Sequence, residues 1–115
     1  MKNELGDKVR LQHILDAIKE IESYTQGVDE EKFISLSMMK YACIKLLEII
    51  GEAASRLTPS LKSKYTDIRW AEIVGLRNIL IHEYFGVNEK VVWEIIETDL
   101  PSLKIFILKV LKDIK

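Results

Sequence analysis

Residues 30–57 read EEKFISLSMMKYACIKLLEIIGEAASRL. Leu36, Met39, Ala42, Cys43, Leu46, Ile50, Ala53, Ala54 and Leu57 recur at steps of three and four, the period of an α-helix and not of a strand. Leu47 and Ile49 widen this apolar sector to ~160° of the helix circumference. A polar strip of Lys45, Glu48, Glu52 and Ser55 is left over. A sector so wide has to be covered from two sides, by two helices of one bundle or by one helix and a second subunit. Asp29 stands as an N-cap, and Glu30 and Glu31 follow where the helix dipole favours them. The spacing therefore predicts one long helix from about Glu30 to Leu57, broken by Thr58-Pro59-Ser60.

The same period continues on both sides. Leu11, Ile14, Leu15, Ile18 and Ile21 form the stripe of a first helix from about Asp7 to Tyr24, with Gly27 as its stop. After the break, Leu61 to Thr66 reads as a connector with room for one helical turn. Asp67 is the expected N-cap of a third helix from about Ile68 to Tyr84, ended by Gly86. Asn88 caps a fourth, in which Val92, Ile96, Leu100, Leu103, Ile107, Val110, Leu111 and Ile114 keep one apolar face. Pro101 falls inside that run, and its ring crowds the carbonyl of Glu97. The last helix is therefore kinked or split there, and the unbroken stripe favours a kinked continuation. No strict alternation is long enough for a strand. The expectation is an all-α, up-and-down four-helix bundle in one domain spanning residues 1–115.

Composition narrows the function classes. In 115 residues, 17 Lys and Arg face 18 Asp and Glu, a net charge of −1. A polycation that coats nucleic acid is excluded, so any RNA or DNA contact has to come from a local patch. One cysteine, Cys43, excludes an internal disulfide and a cysteine-based zinc cluster, and on an apolar stripe it reads as inert packing. No apolar run approaches ~20 residues, so no transmembrane helix and no membrane partner is expected. The start of the chain does not read as a signal peptide. A cytoplasmic location is the expectation, and neither a cofactor nor a metal is called for.

One segment breaks the apolar pattern. On the third helix Trp70, Ile73, Val74, Leu80, Ile81 and Tyr84 fall on one side, and Arg77 falls in their midst. A guanidinium is not buried there without partners, because removing it from water costs several kcal/mol. Either it snorkels past the rim or pairs with a carboxylate, or it lines a cleft that holds an anion. A second face carries Ala71, Gly75, Asn78 and His82, with His82 near the helix end, where the dipole favours the imidazolium. Arg77 and His82 point ~140° apart on a straight helix. They do not converge on one metal ion, but they can flank something larger, such as a phosphodiester. Histidine can act as general base or acid near neutral pH, arginine can stabilise charge on the non-bridging oxygens, and the ribose 2′-OH supplies the nucleophile.

The run Arg77-Asn78-Ile79-Leu80-Ile81-His82-Glu83-Tyr84 resembles the Arg-Asn-x₃-His-x-Tyr signature of HEPN domains, in the form used by the HepT toxin family. Ile50-Gly51-Glu52-Ala53-Ala54, Ile68-Arg69-Trp70, Gly75-Leu76-Arg77-Asn78 and Val91-Val92-Trp93 extend the resemblance from about Lys8 to Lys112. It implies a helical bundle that dimerises and brings two motifs into one cleft, and a metal-independent endoribonuclease acting on RNA. It also implies a cognate minimal nucleotidyltransferase antitoxin, of the MntA type, which transfers AMP to the motif tyrosine. On that resemblance Arg77 and His82 are the catalytic pair, Asn78 is a supporting residue and Tyr84 is the modified residue.

Other residues have two readings each. Glu52 is a solvated carboxylate or a partner for Arg77 or His82 across the bundle. Gly51, which costs up to ~1 kcal/mol in mid-helix, marks a close helix crossing. Trp70 and Trp93 read as core or interface anchors. Lys104, Lys109, Lys112 and Lys115 read as a solvated face, with an RNA-attracting surface as the alternative, and His13 is assigned no role. Two other functions compete with the ribonuclease toxin. One is a non-catalytic nucleotide- or RNA-binding subunit of a nucleotidyltransferase complex. The other is a structural helical dimer in which Arg77 sits in a buried ion pair.

Overall fold

The structure, a computed structural model, describes the backbone of residues 2–82 and 88–114 and the side chains of residues 6–77 and 88–114. Its elements are α1 (Lys2–Thr25), α2 (Glu30–Ser35), α3 (Ser37–Ser55), α4 (Pro59–Lys64), α5 (Trp70–His82), α6 (Glu89–Glu94), a π-helical turn (Ile95–Asp99) and α7 (Leu100–Ile114). The expected all-α bundle forms, with no strand among the described residues. α3 packs on both α1 and α5, and α1 packs in turn on α7. Most of the wide apolar sector of α3 is thus covered from two sides by helices of its own chain, while Leu36 and Ile49 stay exposed.

Burial follows the stripes. Leu11, Ile14, Ile18 and Ile21 of α1 are wholly buried, as are Cys43, Leu47 and Ile50 of α3 and Ile107 and Val110 of α7. Each such side chain contributes about 1.5–3 kcal/mol on burial, more than the ~1 kcal/mol typical of a cap. The stripes hold the bundle and the caps define where its helices begin. Gly27, at φ 74°, takes the left-handed conformation that closes α1. Asp29 caps α2 by accepting from the Lys32 amide at 2.8 Å, and Asn88 caps α6 by accepting from Lys90 and Val91.

Four boundaries differ from the expectation. The helix predicted from about Glu30 to Leu57 is two helices, α2 and α3, parted at Leu36 (φ −98°, ψ 89°). Ser35 and Ser37, weak helix formers, flank the break. The break lets Phe33 turn onto Trp93 of α6, with ring centroids 5.0 Å apart, while α3 stays aligned with α1 and α5. Lys40, 8% exposed, secures the junction by pairing with Glu89 at the start of α6 and donating to the Ile34 carbonyl at 3.3 Å.

The second difference is that α1 begins at Lys2, so Asp7 lies inside it and not at its start. Asp7 is 4% exposed and accepts from the Thr58 amide at 2.9 Å and the Thr58 hydroxyl at 2.6 Å. The third concerns Thr58-Pro59-Ser60, which does more than end a helix. Thr58 caps α4, whose Pro59 occupies a first-turn position where no amide hydrogen is needed, and whose Leu61 is buried.

Fourth, α5 begins at Trp70 and not at Ile68, and Asp67 is not its cap. The Arg69 carbonyl accepts the first helical bond, from Ile73 at 3.2 Å. Ile68 and Trp70 are both buried, and the Trp70 indole donates to the Tyr65 carbonyl at 3.0 Å, which holds the chain in a turn until Trp70. The predicted end of this helix, at Tyr84 and Gly86, lies outside the described residues.

The last helix is a continuation, as its stripe favours. Backbone dihedrals stay in the right-handed helical region at Ile95 and Leu100, and the turn between them is π, with the Leu100 amide donating to the Ile95 carbonyl. This wider turn opens the ladder where Pro101 has no N–H to give and would crowd the Glu97 carbonyl. It also keeps the consecutive steps of four, Val92 to Ile96 to Leu100, on one buried face. No helix among the described residues is long and apolar enough to cross a membrane.

Candidate functional site

The site is built where α5 crosses α3. Gly51 supplies no side chain, so α5 comes close enough that an added Cβ would stand 2.6 Å from the Arg77 amide nitrogen and 3.0 Å from the Arg77 Cβ. The close crossing expected at Gly51 is this one. It delivers the Arg77 side chain onto the polar strip of α3. Arg77 Nη1 donates to Glu52 Oε1 at 2.9 Å and to Ser55 Oγ at 2.9 Å. The other Glu52 oxygen, Oε2, accepts from Arg56 Nε at 2.9 Å, and the Ser55 hydroxyl donates to the Glu52 carbonyl at 2.6 Å.

One carboxylate thus serves two guanidinium groups. The Arg77 hydrogen bond first, and the Arg56 bond second, hold the Glu52 carboxyl below its ordinary value of 4.5. It is ionised throughout the neutral range. The Arg77 and Glu52 side chains are 32% and 43% exposed. The pair is therefore not the buried ion pair that a purely structural role for Arg77 requires. It is an anchored cation open to solvent.

Arg77 lines a groove of about 700 Å³ between α1 and α3. Val9, Arg10 and His13 line it from α1, and Lys45, Glu48, Ile49, Glu52 and Ala53 from α3, with Arg56 just beyond that helix. Four cations (Arg10, Lys45, Arg56, Arg77) stand against two carboxylates (Glu48, Glu52), on a chain whose net charge is −1. Among the described residues this is a local cationic excess of the kind that composition requires of any nucleic-acid contact. His13, given no role from sequence, shares a groove with Arg77, and Ser55 and Arg56 are further contacts that sequence missed. The available signal was the α3 strip itself, on which Ser55 lies one helical turn from Glu52.

The remaining candidates divide. Asn78 and His82 lie on the last turns of α5, and their side chains are outside the described residues; Tyr84 lies outside them entirely. Trp70 and Trp93 are buried core residues, as is Cys43, whose thiol burial pushes up to about 11. Lys104 pairs with Glu22 at 2.9 Å, while Lys109 and Lys112 are solvated; Lys115 is outside the described residues. Among the described residues no three His, Cys, Asp or Glu side chains are placed to hold a metal ion.

An all-α bundle that crosses at a glycine to anchor one arginine beside a cationic groove is the class that fold and site define. The family model described as "Ribonuclease HepT-like" matches residues 14–110, and the chain belongs to this HepT-like family of HEPN proteins. It is 40% identical over 97 residues to a Methanocaldococcus jannaschii protein named "Putative RNase MJ1380", covering 84% of this chain and 89% of that one. It is 39% identical over 94 residues to "Probable ribonuclease HepT" of Thermococcus cleftensis, covering 82% and 86%. A third relative, "Gamma-glutamylcyclotransferase and putative RNase MJ0434" of M. jannaschii, is 40% identical over 107 residues, which are 93% of this chain and 48% of that protein. No solved structure matches the chain.

Proposed function

We propose that the chain is the ribonuclease toxin of a toxin–antitoxin pair, a metal-independent endoribonuclease that works as a homodimer. Arg77 and His82 are its catalytic residues, Asn78 and Glu52 support them, and Tyr84 receives inhibitory AMP from a cognate minimal nucleotidyltransferase antitoxin. The observation that carries this reading is the anchoring of Arg77 by Glu52 and Ser55 in the wall of a cationic groove. Family membership and the ribonuclease names of the relatives support it.

The chemistry needs no metal. Both anchoring bonds use Nη1, and a guanidinium has five N–H donors, so Nη2 and Nε are the donors that meet a substrate phosphate. His82 removes the proton from a ribose 2′-OH. The oxygen attacks the adjacent phosphorus, the bond to the 5′-oxygen breaks, and a protonated imidazole returns a proton to that leaving oxygen. The products are a 2′,3′-cyclic phosphate and a free 5′-hydroxyl. Arg77 stabilises the charge that builds on the non-bridging oxygens. Two copies of the motif in one cleft supply one imidazole as base and one as acid. AMP on Tyr84 sets phosphate beside Arg77 and occupies the place of the substrate's phosphate.

The test is cleavage of RNA in EDTA by protein freed of its antitoxin. The parent is expected to cut and a folded His82→Ala variant to be inert. Equal rates would remove the catalytic assignment. Binding of ATP or RNA without cleavage by the parent would favour a nucleotide- or RNA-binding subunit instead. Intact-protein mass spectrometry with and without the nucleotidyltransferase is expected to show AMP increments that disappear in Tyr84→Phe.

A further inference from the structure

The groove between α1 and α3 extends well beyond Arg77. Arg10 stands on its α1 wall and Lys45 on its α3 wall, and the aliphatic side chains of Val9 and Ile49, 53% and 39% exposed, line the same groove. Exposed aliphatic carbon alongside cations matches a polymer with charge along one edge and flat apolar faces along the other. Single-stranded RNA has that form: phosphates at regular intervals and unstacked bases that gain from covering apolar surface. A duplex keeps its base faces inside and offers nothing to Val9 and Ile49. An acidic protein segment would satisfy the cations and leave the aliphatic floor unmatched.

The position of the groove agrees. A strand whose scissile phosphate sits at Arg77 continues away from it on both sides, and this groove, which Arg77 lines, is a concave path for one of them.

We infer that the α1–α3 groove is the binding subsite for the single-stranded RNA flanking the scissile phosphate. Arg10 and Lys45 hold its backbone phosphates, and Val9 and Ile49 take base or sugar faces. His13 lines the same groove as a further hydrogen-bonding or stacking group. The inference rests on the ribonuclease reading for the position of the scissile phosphate. None of these residues belongs to the Arg77–Tyr84 motif, and they set where RNA lies, not how it is cut.

The experiment uses the full chain as a His82→Ala variant, which leaves RNA intact, titrated with a short fluorescein-labelled single-stranded oligouridylate at several salt concentrations. Arg10→Glu with Lys45→Glu is expected to weaken binding at least about tenfold. Loss of two phosphate contacts is expected to lower the slope of log affinity against log salt by about 1.4. Lys109→Glu with Lys112→Glu makes the same charge change on α7 and is expected to leave both quantities unchanged. If the charge reversal in the groove unfolds the protein, Ile49→Ser serves in its place, with weaker binding at an unchanged salt slope.

Equal losses from the groove and α7 variants, or none from the groove, would overturn the assignment. Displacement of the RNA by polyglutamate as readily as by unlabelled oligouridylate at the same charge concentration would overturn it too. Cleavage by the otherwise unaltered protein separates this inference from the catalytic one. A parent that cuts with groove variants that bind like the parent defeats the groove alone. Groove-dependent binding by a parent that never cuts defeats the ribonuclease reading and leaves the groove standing.

Discussion

A Cβ built on Gly51 would stand 2.6 Å from the amide nitrogen of Arg77. The obstacle is the backbone of another helix, which does not turn aside as a flexible side chain would. Gly51→Ala therefore pushes α5 off α3. Overpacking of this kind costs about 1–3 kcal/mol, and the better helix propensity of alanine returns up to ~1. The expected outcome is a net loss of up to about 3 kcal/mol in urea denaturation, together with lower ribonuclease activity from a displaced Arg77. An unchanged midpoint would mean that α5 rides outward freely.

Glu52 makes the crossing sensitive to acid. Its carboxyl is held low by the hydrogen bond from Arg77 and then by that from Arg56. A group with a depressed folded value stabilises the protein above its unfolded value and loses that contribution as pH falls through the folded one. The melting-temperature gap between the parent and Glu52→Gln is expected to be constant from neutral pH to about 4.5 and to shrink below it. The two side chains are partly exposed, so the gap is small and narrows further with salt. Superimposable curves at every pH would mean that the pair adds nothing to stability and serves only to place Arg77.

Asp7 ties the first helix to the fourth through both the amide and the hydroxyl of Thr58. Asp7→Ala leaves those part-buried donors without their acceptor and is expected to cost about 1–3 kcal/mol. Thr58→Ala keeps the amide bond to Asp7 but removes the hydroxyl one, and the α4 cap with it. The double variant is expected to lose less than the sum of the two single losses, as measured by chemical denaturation. Additive losses would show that the two side chains act independently.

Cys43 is wholly buried, and burial pushes its thiol up to about 11. The reactive thiolate is therefore scarce at pH 8. The native protein is expected to leave a thiol reagent such as Ellman's disulfide unconsumed over the time in which the denatured chain reacts fully. Rapid reaction of the native form would show that α3 opens readily.

Much of this protein is readable along the chain, and the reason is local. The α1 and α7 stripes, the Asp29 and Asn88 caps and the Gly27 stop depend on neighbours within a turn or two, so periodicity and cap chemistry find them. The breaks that were misplaced depend on distant partners. Leu36 parts two helices because Phe33 has to meet Trp93, and α5 waits until Trp70 because the indole reaches back to Tyr65 while Ile68 is buried.

The site divides in the same way. Sequence alone marked Arg77 as a charge on an apolar face, offered Glu52 as a partner for it or for His82 beside the reading of a solvated carboxylate, and found in Gly51 the sign of a close crossing. Each is a local oddity that costs free energy unless something elsewhere compensates. Only the tertiary structure decided that Glu52 is shared between Arg77 and Arg56, that Ser55 completes the anchor, and that the pair stays open to solvent. It alone brought Arg10 and His13 of the first helix into the groove of Arg77. Residues so far apart in the chain are joined by packing, and a helical period records which face a residue occupies but not which helix will lie against it.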